Sequence, residues 1–119
     1  LEVLNSFFAD ALDDQQWYRN TWARIPHFFG SPYYVFQYAT SKAAASLLHQ
    51  KMTGGDDGQR TEAVAGYLEL LSSGGSDHPI SQLQKAGVDF TTTKPTEALV
   101  KEMDSLVDQL DEELEKLEA

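Results

Sequence analysis

The side chains that could carry out chemistry in this sequence are three histidines, a group of tyrosines and many carboxylates, and its 119 residues include no cysteine. His27, His49 and His78 lie 22 and 29 residues apart. A metal site on one helix needs two such ligands one turn apart, so that both imidazoles reach the same ion. The spacing therefore predicts no tightly bound metal within the chain, and the missing cysteines exclude a thiolate site or a disulfide framework.

Nucleophilic catalysis is equally poorly supported by the residue pattern. Ser31, His27 and Asp77 are the residue types of a catalytic triad, but the sequence has no GxSxG turn to expose a serine. It also has no glycine-rich loop of the kind that binds phosphates. The residues alone therefore do not predict catalysis within the chain.

Two tyrosines are spaced to act together. Ser31 before Pro32 is a strong helix start, because the hydroxyl caps free amides and proline suits the first turn. We predict a helix over 32–52 that ends at the glycines 54 and 55. Tyr34 and Tyr38 would then lie at i and i+4, with both hydroxyls on one face.

The remaining elements also read as helices, and no period-two alternation indicates a strand. We predict an all-α fold, a helical bundle fragment of five or six helices that forms a single unit over 1–119 without an internal boundary. Besides the central helix, the predicted segments are 1–12, 15–25, 59–72 (capped by Asp56 or Asp57), 79–86 and 95–118.

The last predicted helix carries an apolar stripe whose function the pattern leaves open. Its residues recur every three or four positions: Leu99, Met103, Leu106, Leu110, Leu114 and Leu117. Such a stripe packs on the parent domain or forms a coiled-coil seam. The second possibility gives an alternative function, a non-catalytic acidic helical interaction module that dimerises through the Leu99–Leu117 stripe. The central helix is apolar around most of its circumference, so we also expect the chain to self-associate.

The charge balance excludes several classes of partner. Nineteen acidic side chains stand against nine basic ones, for a net charge of −10. Nucleic acids and anionic membranes attract positive surfaces, so we expect neither as a partner. No apolar stretch is long enough to cross a membrane and no basic-then-apolar leader pattern is present, so we expect a cytoplasmic protein.

Specific runs of residues say more than the composition does. Five such runs are WARIPHFF (22–29), PYYVFQYAT (32–40), YLELL (67–71), GGSDHPI (74–80) and KAGVDF (85–90). Through these runs the chain resembles the oligoendopeptidase F group of the thimet-oligopeptidase-like zinc metallopeptidases, nearly throughout and with the family's order and spacing.

The resemblance implies that the chain is the C-terminal portion of the catalytic domain of a longer zinc-dependent peptidase that hydrolyses short peptides. The family's zinc ligands and its general-base glutamate would lie upstream of residue 1. Zinc is therefore expected in the full-length enzyme but not in this fragment, and we expect the fragment alone to be inactive.

The resemblance also assigns site residues. It gives His27 a place beside the active-site channel, Gly30 a turn near the bound peptide, and Tyr34 and Tyr38 a role as donors to the oxyanion of the transition state. The same residue types also fit a core histidine and core aromatics, and for Tyr33 we expect packing. Phe36 replaces a frequent tyrosine of the family, so that hydroxyl is absent here.

Overall fold

The computed structural model describes residues 2–8, 11 and 16–118 of the chain. Within these residues it has six α-helices, one 3-10 helix and no strand, which confirms the all-α prediction. The 3-10 helix is Gln16–Arg24, and the α-helices are α1 (Glu2–Phe8), α2 (His27–Gly30), α3 (Phe36–Thr53), α4 (Asp57–Ser72), α5 (Pro79–Lys85) and α6 (Lys94–Glu118). The ends of the predicted helix 1–12, with residues 1, 9, 10 and 12, lie outside the described part of the chain.

The chain divides into two compact units, residues 1–37 and 38–119. The sequence predicts a single unit without an internal boundary over 1–119, as a portion of a peptidase domain, and this stays a prediction. The first unit consists mainly of short helices and turns. Its 3-10 helix ends at Arg24, as expected because Ile25 precedes Pro26 and a residue before proline disfavours helical backbone.

The predicted start of the central helix is wrong. Helix α3 begins at Phe36 rather than at Pro32, and Ser31 is instead the C-cap of α2. The physical reason lies at Tyr33, whose φ of 62° is left-handed and cannot continue a right-handed helix. Tyr34 therefore precedes α3, and it does not share a helix face with Tyr38. The far end agrees with the prediction, because α3 ends at Thr53, just before the two glycines.

The second unit contains the hydrophobic core of the described residues. Helix α3 contributes buried alanines and leucines, whose small and medium side chains let neighbouring elements approach closely. The core residues are Ala44, Leu47, Leu48, Ala86, Val88 and Ala98, with Met52, Tyr67, Leu70, Leu83 and Phe90 partly buried against them.

The end of α5 places Val88, the most deeply buried of these side chains. Gly87 adopts a φ of 84°, its amide donates to the Gln84 carbonyl at 2.9 Å, and the Val88 amide donates to the Leu83 carbonyl at 2.8 Å. This pair of hydrogen bonds is the Schellman motif that ends many helices. It turns the chain back so that Val88 has no exposed surface.

Helix α4 begins with a capping box. The Asp56 carboxylate accepts from the Gln59 amide at 2.9 Å, and the Gln59 side chain accepts from the Asp56 amide at 3.0 Å. Of the two aspartates that the sequence offers as caps, Asp56 is therefore the one that acts.

Helix α6 is joined to α3 near its first turns. The Glu102 carboxylate accepts a hydrogen bond from Ser46, which is buried, and pairs with Lys42 at 3.3 Å. Beyond Glu102 the side chains of α6 are exposed up to residue 117. Among the described helices, none combines the length and the apolar character needed to cross a membrane.

Candidate functional site

The residues predicted to contact a peptide lie around α2, the single turn of helix at His27–Gly30. Pro26 precedes it with a helical φ of −64°, and the Gly30 amide donates to the Pro26 carbonyl at 3.0 Å. The Ser31 amide then donates to the His27 carbonyl at 3.0 Å, and the Tyr34 amide to the Ser31 carbonyl at 3.2 Å. This succession of turns folds the chain back on itself between His27 and Tyr34.

The consequence of these turns is a direct contact between two predicted site residues. The rings of His27 and Tyr34 stack with their centroids 5.2 Å apart and their planes 17° from parallel. His27 is half-buried, and Tyr34 is 41% exposed. Both residues therefore combine a fixed ring orientation with access to solvent, and neither is a core residue of the described chain.

Gly30 lies between these two residues, and the fold does not explain why it is a glycine. No left-handed φ is found there, and an added Cβ would meet no atom within 4 Å apart from its chain neighbours and the backbone of its own helix. A glycine in this setting leaves open space beside the His27 turn.

The other tyrosines of this segment are arranged differently from the prediction. Tyr38 lies in the first turn of α3 and is 56% exposed. Tyr33, which the sequence predicts as a packing residue, is 93% exposed and lies at a backbone φ of 62°. The expectation of packing at Tyr33 is therefore wrong for the described chain.

Trp22 packs against two aromatic rings of α2, and this cluster was not predicted from the sequence. The Trp22 ring meets Phe28 edge-on at 6.3 Å and lies against Phe29 at 5.8 Å, so it touches two residues of α2. Ring pairs of this kind add about 0.5–1.5 kcal/mol beyond area burial. The spacing of Trp22 to Phe28 and Phe29 is the available signal, but it crosses a proline and follows no single helical period.

Among the described residues, three carboxylates have pKa values that are clearly lowered, and each shift has a structural cause outside the His27 segment. The hydrogen bond from Lys85, aided by the His78 amide, lowers the pKa of Asp77. The amide and hydroxyl of Thr91 lower the pKa of Asp89, and the Ser46 hydroxyl with Lys42 lowers that of Glu102.

These three carboxylates cap turns or join helices. Asp77 precedes α5, Asp89 caps the turn that leads to α6, and Glu102 joins α6 to α3. Their lowered pKa values favour the charged form, which suits structural ion pairs rather than acid–base catalysis near neutral pH.

A metal ion does not fit the described side chains. Within residues 2–8, 11 and 16–118, no three His, Cys, Asp or Glu side chains come close enough together to hold one. The zinc that the resemblance implies for the longer enzyme therefore has no ligand set among the described residues.

A cleft of about 750 Å³ lies in the second unit. Its lining includes Leu47, Lys51, Glu62, Gly66 and Gly87, and it includes none of the predicted site residues. Lys51, one of two lysines that line it, donates to the Gly87 carbonyl at 2.5 Å. The cleft and the His27 segment are therefore separate features.

Comparison with known proteins gives a consistent family. Residues 2–102 match the sequence profile of peptidase family M3. Oligopeptidase PepF of Bacillus subtilis is 38% identical over 98% of the chain, and an oligoendopeptidase F homolog of Lactococcus lactis is 36% identical over 97%. Group B oligopeptidase PepB of Streptococcus agalactiae is 39% identical over 76% of the chain.

The chain is much shorter than these relatives. It covers 17% of the Bacillus subtilis protein, 18% of the Lactococcus lactis protein and 16% of the Streptococcus agalactiae protein. No solved structure gives a significant match. The family profile and the relatives confirm the resemblance to oligoendopeptidase F, and the chain belongs to peptidase family M3.

Proposed function

We propose that this chain is the C-terminal portion of the catalytic domain of a cytoplasmic, zinc-dependent oligoendopeptidase that hydrolyses short peptides. The match to peptidase family M3 over residues 2–102 carries the proposal. In the complete enzyme, this portion contributes substrate-binding and oxyanion-stabilising side chains, whereas the zinc ligands and the general base come from elsewhere in the polypeptide. The fragment by itself is therefore inactive.

His27, Gly30 and Tyr34 bind the peptide in this proposal. The stacked rings of His27 and Tyr34 support it, because a ring held by a neighbour loses less conformational freedom when a ligand binds. The open space at Gly30 supports it as well, since a peptide backbone can approach where no Cβ projects.

Tyr34, Tyr38 and His27 act on the transition state. When water attacks the scissile carbonyl, negative charge grows on the carbonyl oxygen. A phenol O–H or an imidazole N–H can donate a hydrogen bond to it. A donor aimed at this charge binds the transition state more strongly than the substrate, so it raises kcat. Exposed hydroxyl-bearing rings at Tyr34 and Tyr38 supply such donors.

The test is the removal of single hydroxyls in the complete peptidase. We expect Tyr34→Phe and Tyr38→Phe each to lower kcat by roughly tenfold or more with little change in KM, equivalent to about 1.4 kcal/mol. Tyr33→Phe is the matched control, because it removes a neighbouring hydroxyl that has no assigned role. If both test variants keep kcat within twofold of the parent, the assignment is wrong.

A further inference from the structure

From Val100 onward, helix α6 presents an exposed apolar surface. Its members are 47–58% exposed even though all are aliphatic or methionine: Val100, Met103, Leu106, Val107, Leu110 and Leu114. We call this set the α6 face. Contiguous apolar surfaces of this kind mark sites where another molecule or segment packs.

The width of the α6 face indicates what kind of element covers it. Val100, Met103, Val107, Leu110 and Leu114 recur at spacings of three and four and form two rows, and Leu106 adds a third row beside them. A two-stranded coiled coil uses only two positions in seven, whereas helices packed into the core of a bundle use three. The third row makes the α6 face wider than a two-stranded seam, as in a helix that packs among several others.

The border of the α6 face argues against a second copy of the chain. Glu97, Asp104 and Asp111 follow one another at intervals of seven and so lie along one edge. Residues 103–118 contain seven acidic side chains and a single basic one, Lys116. Screening acts over about 8–10 Å at physiological salt, so two such helices side by side would repel one another.

We propose that the α6 face is the docking surface for another helical part of the peptidase polypeptide, whose apolar side is bordered by lysine and arginine opposite Glu97, Asp104 and Asp111. This inference rests on the proposed function, in which the chain is one portion of a longer enzyme. The source is plausible in size, since the chain covers only 17% of oligopeptidase PepF and leaves a long polypeptide to supply the partner helices.

The experiment places this chain in oligopeptidase PepF of Bacillus subtilis, in exchange for the 116 residues that align with it. The test variant is Leu106→Asp, which puts a carboxylate within the α6 face, midway along its length. The control is Ser105→Asp, which introduces the same side chain at the adjacent, exposed position on the opposite side of the helix. Thermal unfolding and peptide hydrolysis are measured on each protein.

We expect Leu106→Asp to lower the unfolding midpoint by at least about 3 °C, and Ser105→Asp to leave it within about 1 °C. A second pair of variants tests the acidic border formed by Glu97, Asp104 and Asp111. Asp104→Lys combined with Asp111→Lys should also lower the midpoint at low salt, and this shift should shrink in 1 M sodium chloride, where the screening length is about 3 Å. Ser105→Lys is the control for the added positive charge.

Three results would overturn the docking proposal. In the first, the chimera without further substitutions does not unfold cooperatively. In the second, the unfolding midpoint of Leu106→Asp equals that of Ser105→Asp. In the third, sedimentation shows that the 119-residue chain is a dimer and that Leu106→Asp dissociates it. Peptide hydrolysis by the wild-type chimera reports separately on the proposed function. A folded but inactive chimera counts against that function, while the unfolding comparison still decides what covers the α6 face.

Discussion

Among the described residues, the two units of this chain differ in that the second contains a packed apolar core and the first does not. In residues 1–37, aromatic rings such as Trp22, Phe28 and Phe29 remain about half exposed or more, and α2 has no buried residue. In residues 38–119, Leu47, Leu48 and other core residues are at most 8% exposed. The first unit therefore derives its shape from turns and ring contacts, and the second from a packed core.

The residues proposed for chemistry and the residues that stabilise the fold therefore lie in largely different parts of the sequence. Every side chain proposed to bind the peptide lies in the first unit, and only Tyr38 among the proposed transition-state donors belongs to the second. Core substitutions should accordingly unfold the protein, whereas changes around His27 should alter function more than stability. Substitutions in each region can break or sharpen this division.

The largest effect is expected in the core of the second unit. Val88 has no exposed surface, so Val88→Asp would bury an unpaired carboxylate and should cost roughly 3–5 kcal/mol of unfolding free energy. Val64→Asp makes the same change at a site that is 40% exposed, and it should cost less than about 1 kcal/mol. Urea unfolding followed by circular dichroism measures both. If both variants lost the same unfolding free energy, Val88 would not be part of the stabilising core.

A smaller effect is expected at the start of α4. Asp56→Ala removes one acceptor of the capping box and should cost about 1 kcal/mol. Asp56→Asn keeps a side-chain oxygen at the cap and should recover most of that loss. The comparison is made by urea unfolding of the two variants. An asparagine variant as unstable as the alanine variant would mean that the cap hydrogen bond does not stabilise the helix.

The smallest effect is a pH dependence that links α3 and α6. The Ser46 and Lys42 contacts lower the folded-state pKa of Glu102 below its ordinary value of 4.5. The charged carboxylate therefore favours folding above pH 4.5, and this contribution is lost as the pH falls through the lower folded-state value.

We expect Glu102→Gln to be less stable than the parent at neutral pH and to approach it as the solution is acidified. Glu112→Gln, a change at an exposed glutamate of the same helix, is the control. Unfolding midpoints measured from pH 7 to pH 3 provide the comparison. A constant difference between Glu102→Gln and the parent across this range would contradict the pKa assignment.

Much of the second unit could be predicted because its signals are local. The glycines after Thr53 end α3, Asp56 caps α4, and proline opens α5 at Pro79, all as the sequence indicates. These signals act through the backbone of neighbouring residues, so they need no knowledge of distant contacts.

The first unit was harder to predict because a single backbone torsion angle, the φ of Tyr33, determines where the next helix begins. Ser31-Pro32 has the form of a helix start, but Tyr33 takes a left-handed conformation and delays the helix to Phe36. Left-handed backbone at a tyrosine is uncommon and has no sequence signature. The identities of the candidate site residues therefore come from the resemblance, whereas the stacking of His27 on Tyr34 becomes visible only in the structure.

The most direct test of the account is His27→Gln in the complete peptidase, with turnover and unfolding measured on the same sample. The substitution removes the imidazole from its stack on Tyr34 but leaves the packed core of the second unit untouched. We expect kcat to fall by roughly tenfold or more, while the unfolding free energy changes by less than about 1 kcal/mol. A kcat within twofold of the parent, or a loss of turnover that only accompanies unfolding, would contradict the assignment of this segment to peptide hydrolysis.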